Sequence, residues 1–171
     1  MASYIALVLT LLLVAGCSTA HHKTPVTEVQ NVSYKPVSAP QPVSVPIATS
    51  FTWPIKGQII STFGDRSDDF RNKGIDIKAP AGDIVRAAAE GKVVYCDSKM
   101  RGFGETVILD HGNSIQTVYS YNSDILVKVG DIVQKNDAIA HIGSTGRAKE
   151  PSLHFEIRKD GEPVDPLLVL R

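Results

Sequence analysis

The sequence has no charged side chain in its first 16 residues, no glycine between residues 18 and 50, and no excess charge of either sign overall. Its 18 Lys+Arg balance 18 Asp+Glu. Such neutrality argues against a basic surface wrapped around nucleic acid, and against an acidic, disordered solvating chain. Only two cysteines occur, Cys17 and Cys96, which excludes a multi-bridge disulfide framework. The longest apolar run, Ile5 to Ala15, is about half of the ~20 residues that a membrane-spanning helix takes. What is present is unevenly spread. Five of the ten prolines fall between residues 18 and 50, and 12 of the 13 glycines fall after residue 50.

The N-terminal 16 residues read as an export signal: IALVLTLLLVA is a short apolar core followed by small residues. Val14-Ala15-Gly16-Cys17 resembles the bacterial lipobox, although the leading MASY lacks the usual Lys or Arg. The resemblance implies that Cys17 is lipidated. Acyl chains contribute ~0.8 kcal/mol per buried CH₂, enough in combination to hold a protein on a membrane. Ser18 in the next position implies sorting to the outer membrane, with the chain facing the periplasm. Residues 17–50 then read as a lipidated cysteine and a linker, with Pro25, Pro36, Pro40, Pro42 and Pro46 among small and β-branched residues. Extended polyproline geometry at ~3.1 Å per residue gives it a reach of about 100 Å. The stretch is too poor in large apolar residues to bury a core, so no carbohydrate-binding module is expected within it. His21 and His22 read as solvated, and Cys96, in KVVYCD, as a half-buried strand thiol.

Residues 51–171 read as one all-β domain, an antiparallel sandwich or roll. Short alternating or β-branched runs recur without a helical period. They cover residues 58–63, 74–77, 84–89, 92–96, 105–110, 114–120, 132–133, 138–142 and 153–158. Glu90-Gly91, Asp110-His111-Gly112 and Asp160-Gly161 supply turn chemistry. Ile59, Phe63, Ile75, Ile77, Val93, Val107, Leu109, Val118, Ile139, Phe155 and Ile157 are the expected core, and Ala87-Ala88-Ala89 an expected thin strip of close packing.

Six phrases in one order carry a family resemblance: WPIKGQIISTFGDR, NKGIDIKAPAGDIVRAAAEGKVVY, GFGETVILDHG, VYSYN, VKVGDIVQKNDAIAHIGSTG and LHFEIRKDGEPVDP. Together they resemble the LytM/lysostaphin-type zinc metallopeptidase domain, whose active members cut peptide cross-links in bacterial cell walls. The resemblance implies that family's β fold. It also implies five functional positions, of which this sequence keeps two. Asn72 stands where the first histidine ligand of H-x-G-x-D belongs, and Asp76 keeps the second ligand. His154 keeps the ligand histidine of H-x-H, but Ser152 replaces its catalytic first histidine. Tyr121 replaces the histidine of Y-x-H. A catalytic zinc takes three protein ligands plus a water, and a neutral amide is a poor substitute for imidazole. The expectation is therefore no zinc, no other cofactor and no catalysis. His111 and His141 lie outside ligand-spaced motifs and read as packing or surface residues.

With NKGID, LHFEIR and a lipobox in one chain, the sequence is similar to the catalytically dead, NlpD-type murein hydrolase activators of that family. The similarity implies a lipid-anchored regulator that activates a periplasmic N-acetylmuramoyl-L-alanine amidase during peptidoglycan remodelling and cell separation. The expected contact is the emptied cleft, floored by Asn72, Asp76, Tyr121, Ser152 and His154 and rimmed by Arg66 and Lys73. Asp76 and His154 equally fit a structural role that merely supports their strands. Two other functions stay open: a divergent zinc endopeptidase that cuts cross-links, and a lipoprotein that only binds peptidoglycan.

Overall fold

Strands form here because β-branched and alternating residues prefer a pleated surface that can be buried on one face. The computed structural model describes residues 50–67 and 70–171. The export segment, Cys17 and the proline-rich stretch therefore lie outside the described residues. Twelve strands follow in order: β1 (Gln58–Ser61), β2 (Arg66–Ser67), β3 (Phe70–Arg71), β4 (Ile75–Lys78), β5 (Ile84–Arg86), β6 (Gly91–Asp97), β7 (Glu105–Asp110), β8 (Ile115–Ile125), β9 (Ile132–Val133), β10 (Ala138–Ile142), β11 (Ser152–Lys159) and β12 (Glu162–Val164). A 3-10 turn at Pro166–Leu168 follows, capped by the Asp165 carboxylate, which accepts from the Leu167 amide.

Ten strands make one antiparallel sheet with the main order β1-β4-β11-β8-β7-β6-β9. The 11-residue β8 also pairs with β10, which in turn pairs with β5, so the sheet branches there. β2 and β3 form a separate two-stranded ribbon. The expected all-β antiparallel architecture is what the chain adopts.

Burial follows strand register. In β11, Leu153, Phe155 and Ile157 point to the apolar core, where they meet Ile75 and Ile77 of β4 and Tyr119 of β8. Ser152, His154 and Glu156 point to the opposite face and are equally buried. Gly74 permits the approach of the chain before β4: a Cβ there would come within 2.1 Å of the Phe155 carbonyl oxygen. Burying a Phe, Leu or Ile side chain contributes ~1.5–3 kcal/mol each, so this three-strand stack is the mechanical base beneath the polar face.

Some expectations shift. Ile59 and Phe63 are only half-buried, and Val118, though fully buried, lies outside the main apolar cluster. The strand expected over residues 84–89 ends at Arg86. Ala87, Ala88 and Ala89 are nonetheless fully buried, because irregular partners take their backbone groups. The Ala88 amide donates to the Tyr119 hydroxyl at 2.9 Å, and its carbonyl accepts from the Thr52 amide. These bonds require small side chains that let other segments approach.

Candidate functional site

The polar face of β4, β11 and β8 carries a linear charge network. Asp76 Oδ1 lies 2.7 Å from His154 Nδ1. The other ring nitrogen, Nε2, lies 3.0 Å from Glu156 Oε1. Glu156 Oε2 accepts from Arg158 Nε at 2.7 Å. Register places these groups, since Asp76 and His154 are direct cross-strand partners, and His154, Glu156 and Arg158 alternate along β11. Beneath them Ser120 and Thr106 share a buried hydroxyl bond of 2.9 Å. The rings of Phe103 and Tyr121 pack on the His154 imidazole, with centroids 5.5 and 5.3 Å away.

Burial alone would push His154 toward neutrality. The bonds to Asp76 and Glu156 outweigh it, and its pKa stands above the ordinary imidazole value. Burial likewise raises Glu156, but His154 and Arg158 pull it below the ordinary carboxylate range. His154 thus bridges two carboxylates, one at each ring nitrogen.

Above this network opens a cleft of about 470 Å³. Of the seven residues expected there, Arg66, Asn72, Asp76, Tyr121 and Ser152 line it. His154, 1% exposed, lies under the floor rather than in it. Lys73 is exposed but points away from the lining, because its neighbours Asn72 and Gly74 are the buried ones in this turn. The sequence argument missed Asp65, Glu150, Phe70, Arg147 and Lys149, which also line it. The last two sit in the irregular segment between β10 and β11, where no strand period marks a direction, and their only signal was the basic pair in GRAKE. It also gave Glu156 no role, because its alternation reads as solvent-facing in a sheet with one buried face.

Each replaced position is integrated into local structure. Asn72 Nδ2 donates to Ser61 Oγ at 2.8 Å, and its Oδ1 accepts from the Gly74 amide at 2.9 Å. Ser152 Oγ donates to the Glu150 carbonyl at 3.0 Å. Tyr121 adopts a left-handed backbone (φ 73°), uncommon for a non-glycine residue. Its amide donates to the Phe103 carbonyl, and Asn122 beside it donates to the Glu105 and Tyr119 carbonyls, which fixes the irregularity. Burial, followed by the Asp76 charge, pushes the Tyr121 phenol up to about 12, so it stays a neutral donor.

These residues do not fit a catalytic zinc. Asp76 and His154 offer two charged or aromatic donors, one fewer than such an ion takes. Both ring nitrogens of His154 are already engaged by carboxylates, and the Asn72 amide is committed to Ser61 and Gly74. Among the described residues no cluster of three His, Cys, Asp or Glu side chains is arranged to hold a metal ion. His111 and His141 do not supplement the set. His111 bonds the Glu90 carbonyl and Thr117, and His141 lies 3.6 Å from Asp124.

Residues 70–166 match Peptidase family M23. The chain is 43% identical over 128 residues to "Lipoprotein NlpD/LppB homolog" of Pseudomonas aeruginosa, across 75% of this chain and 42% of that protein. It is 40% identical over 127 residues to "Murein hydrolase activator NlpD" of Escherichia coli, across 74% of this chain and 32% of that protein. The matches thus span less than half the length of either relative. Among solved structures, a zinc containing peptidase from Vibrio cholerae superposes with a TM-score of 0.63 at 29% identity, across 68% of this chain and 39% of that one.

Proposed function

The chain belongs to peptidase family M23, and we propose that within this family it acts by binding rather than by catalysis. It is a lipoprotein anchored through Cys17 at the outer membrane, facing the periplasm. There it activates an N-acetylmuramoyl-L-alanine amidase during peptidoglycan remodelling and cell separation. The observation that carries this reading is the site's donor set. Asp76 and His154 bond each other directly, while Asn72, Tyr121 and Ser152 occupy the positions where the active family has imidazoles. The Tyr121 phenol stays protonated and the Ser152 hydroxyl is bonded to a carbonyl, so neither of these two is placed to exchange a proton near neutral pH. No zinc and no other cofactor is needed for the proposed role. The names of the relatives, lipoprotein and murein hydrolase activator, support the same role.

The cleft supplies the means. A concave groove between β elements suits a peptide or a helix from a partner. An activator works by binding the open form of its target better than the closed form, and so shifts the population between them. Arg66, Asn72, Tyr121 and Ser152 would contact the amidase segment, while Asp76 and His154 hold the floor rigid.

Dye release from purified, dye-labelled cell wall tests the reading. The three arms are this protein alone, an amidase alone, and both together. The expected result is release chiefly from the mixture. Release by this protein alone, abolished by a chelator, would establish the divergent endopeptidase instead. Wall retention of the protein without any stimulation of the amidase would establish a simple peptidoglycan binder.

A further inference from the structure

The cleft brings together three carboxylates and three cations, and the two sets differ in how they are satisfied. Asp76 is bonded to His154, Glu150 is paired with Lys78, and Asp65 accepts from the Thr62 amide at 2.6 Å. Arg66, Arg147 and Lys149 line the same cleft without an ion-pair partner among the described residues. Among the described residues, Asp76 and Glu150 are each matched by a cation and Asp65 is held by a backbone amide, whereas the three basic side chains have no ion-pair partner.

Arg147 is also fixed in place. Its guanidinium carbon lies 4.5 Å over the centre of the Phe70 ring. On another side it rests on Gly102, where a Cβ would come within 2.8 Å of Arg147 Cζ. Its own amide donates to the Gly102 carbonyl at 3.0 Å. A guanidinium held between a ring and a glycine has already lost the side-chain freedom that binding would otherwise remove. Tyr121 is the second member. It is only 6% exposed and lines the same cleft, and its hydroxyl makes no hydrogen bond to a described residue. A planar cation and a neutral O–H donor that line one cleft offer the kinds of donor that a carboxylate accepts.

Resting on the cleft reading above, we infer that Arg147 and Tyr121 form a carboxylate subsite that takes an aspartate or glutamate side chain from the amidase segment. Arg66 and Lys149 then add long-range attraction for an acidic stretch. Selection works against neutral or basic segments, which would leave Arg147 facing no counter-charge.

The test titrates the full chain with N-acetyl-glutamic acid α-amide and, separately, with the uncharged N-acetyl-glutamine α-amide. The Tyr121 ring and Arg147 Nε resonances report binding. The acid should shift both saturably while the amide leaves them in place. Arg147→Gln should weaken the acid about tenfold and Tyr121→Phe about threefold. Equal responses to acid and amide, or an unchanged affinity in Arg147→Gln, would overturn the subsite. A soluble muropeptide that occupies it more tightly than an acidic amidase peptide would overturn the assigned partner.

A second arm uses amidase stimulation. Arg147→Glu, with an unchanged melting temperature, should abolish it, and a Lys substituted for an acidic residue of the amidase segment should restore it. Full stimulation by Arg147→Glu would remove the subsite and leave the activator reading standing. Selective binding of the acid by a chain that stimulates no amidase would do the reverse.

Discussion

The two faces of β11 are built from alternate residues of one eight-residue strand, yet different physics holds each. On one face Leu153, Phe155 and Ile157 are fully buried among apolar neighbours. On the other, Glu156 is buried just as completely, but every contact is directional: His154 on one oxygen, Arg158 on the other. An apolar face tolerates change in proportion to the volume lost. A buried charged face tolerates little, because removing one partner strands the other. Asn72 and Ser152 lie at the edge of the network with local partners, whereas His154 sits at its centre.

The largest effect expected is on the apolar face. Phe155→Ala should lower stability by about 3–5 kcal/mol, read from chemical denaturation. Glu156→Gln should cost less, about 2 kcal/mol, since the amide keeps the shape and can retain one bond while His154 and Arg158 lose their counter-charge. The two variants should also differ in kind. Phe155→Ala should keep the wild-type dependence of stability on pH, and Glu156→Gln should flatten its acid end. Identical pH profiles in the two would mean that the faces are held by the same forces.

Next in size is the pH dependence itself, which sets two histidines against each other. The folded pKa of His154 lies above its unfolded value of about 6.5, so its contribution is complete below that pH and is lost as pH rises through the folded value. Burial, against the bond that the ring donates to the Glu90 carbonyl, holds His111 below the same value. Its contribution is complete above about 6.5 and is lost as pH falls through the folded value. Glu156, also depressed, adds a further loss at lower pH. Stability should therefore peak near pH 6.5. His111→Gln should flatten the acid side of the peak, and His154→Gln the alkaline side. Melting temperatures across pH 4–9 would check this, and a peak whose two sides ignore both variants would refute the assignment.

The apolar face was the more legible in sequence. Alternation in LHFEIR and GIDIK gave the strands and most of the core, because a strand with one apolar face has a period of two that composition preserves. The polar face was legible only where a motif marked it, at Asn72, Asp76, Tyr121, Ser152 and His154. Glu156 and Arg158 follow the same alternation as solvent-facing residues, yet Glu156 is fully buried and bonded to His154 and Arg158. Arg147 and Lys149 come from a segment without period. The direction of Arg147 depends on Gly102 and Phe70, which are distant in sequence, and nothing local encodes that contact.

The smallest expected change in stability belongs to Asn72→His, which would return an imidazole to the edge of the polar face. The substitution loses the bonds to Ser61 and Gly74, each worth about 1 kcal/mol, and regains part through packing. The metal content should nonetheless change outright. The wild-type chain should hold no stoichiometric zinc, and Asn72→His should hold one per chain, because Asp76 and His154 then gain the third ligand that they lack. Zinc should draw His154 Nδ1 away from Asp76 and so raise the melting temperature of the variant alone. Cross-link cleavage should remain absent, since Tyr121 and Ser152 still offer no base. One zinc per chain in the wild type would reverse the contrast between the faces, making the Asp76–His154 contact part of a working metal centre rather than the bond that closed it.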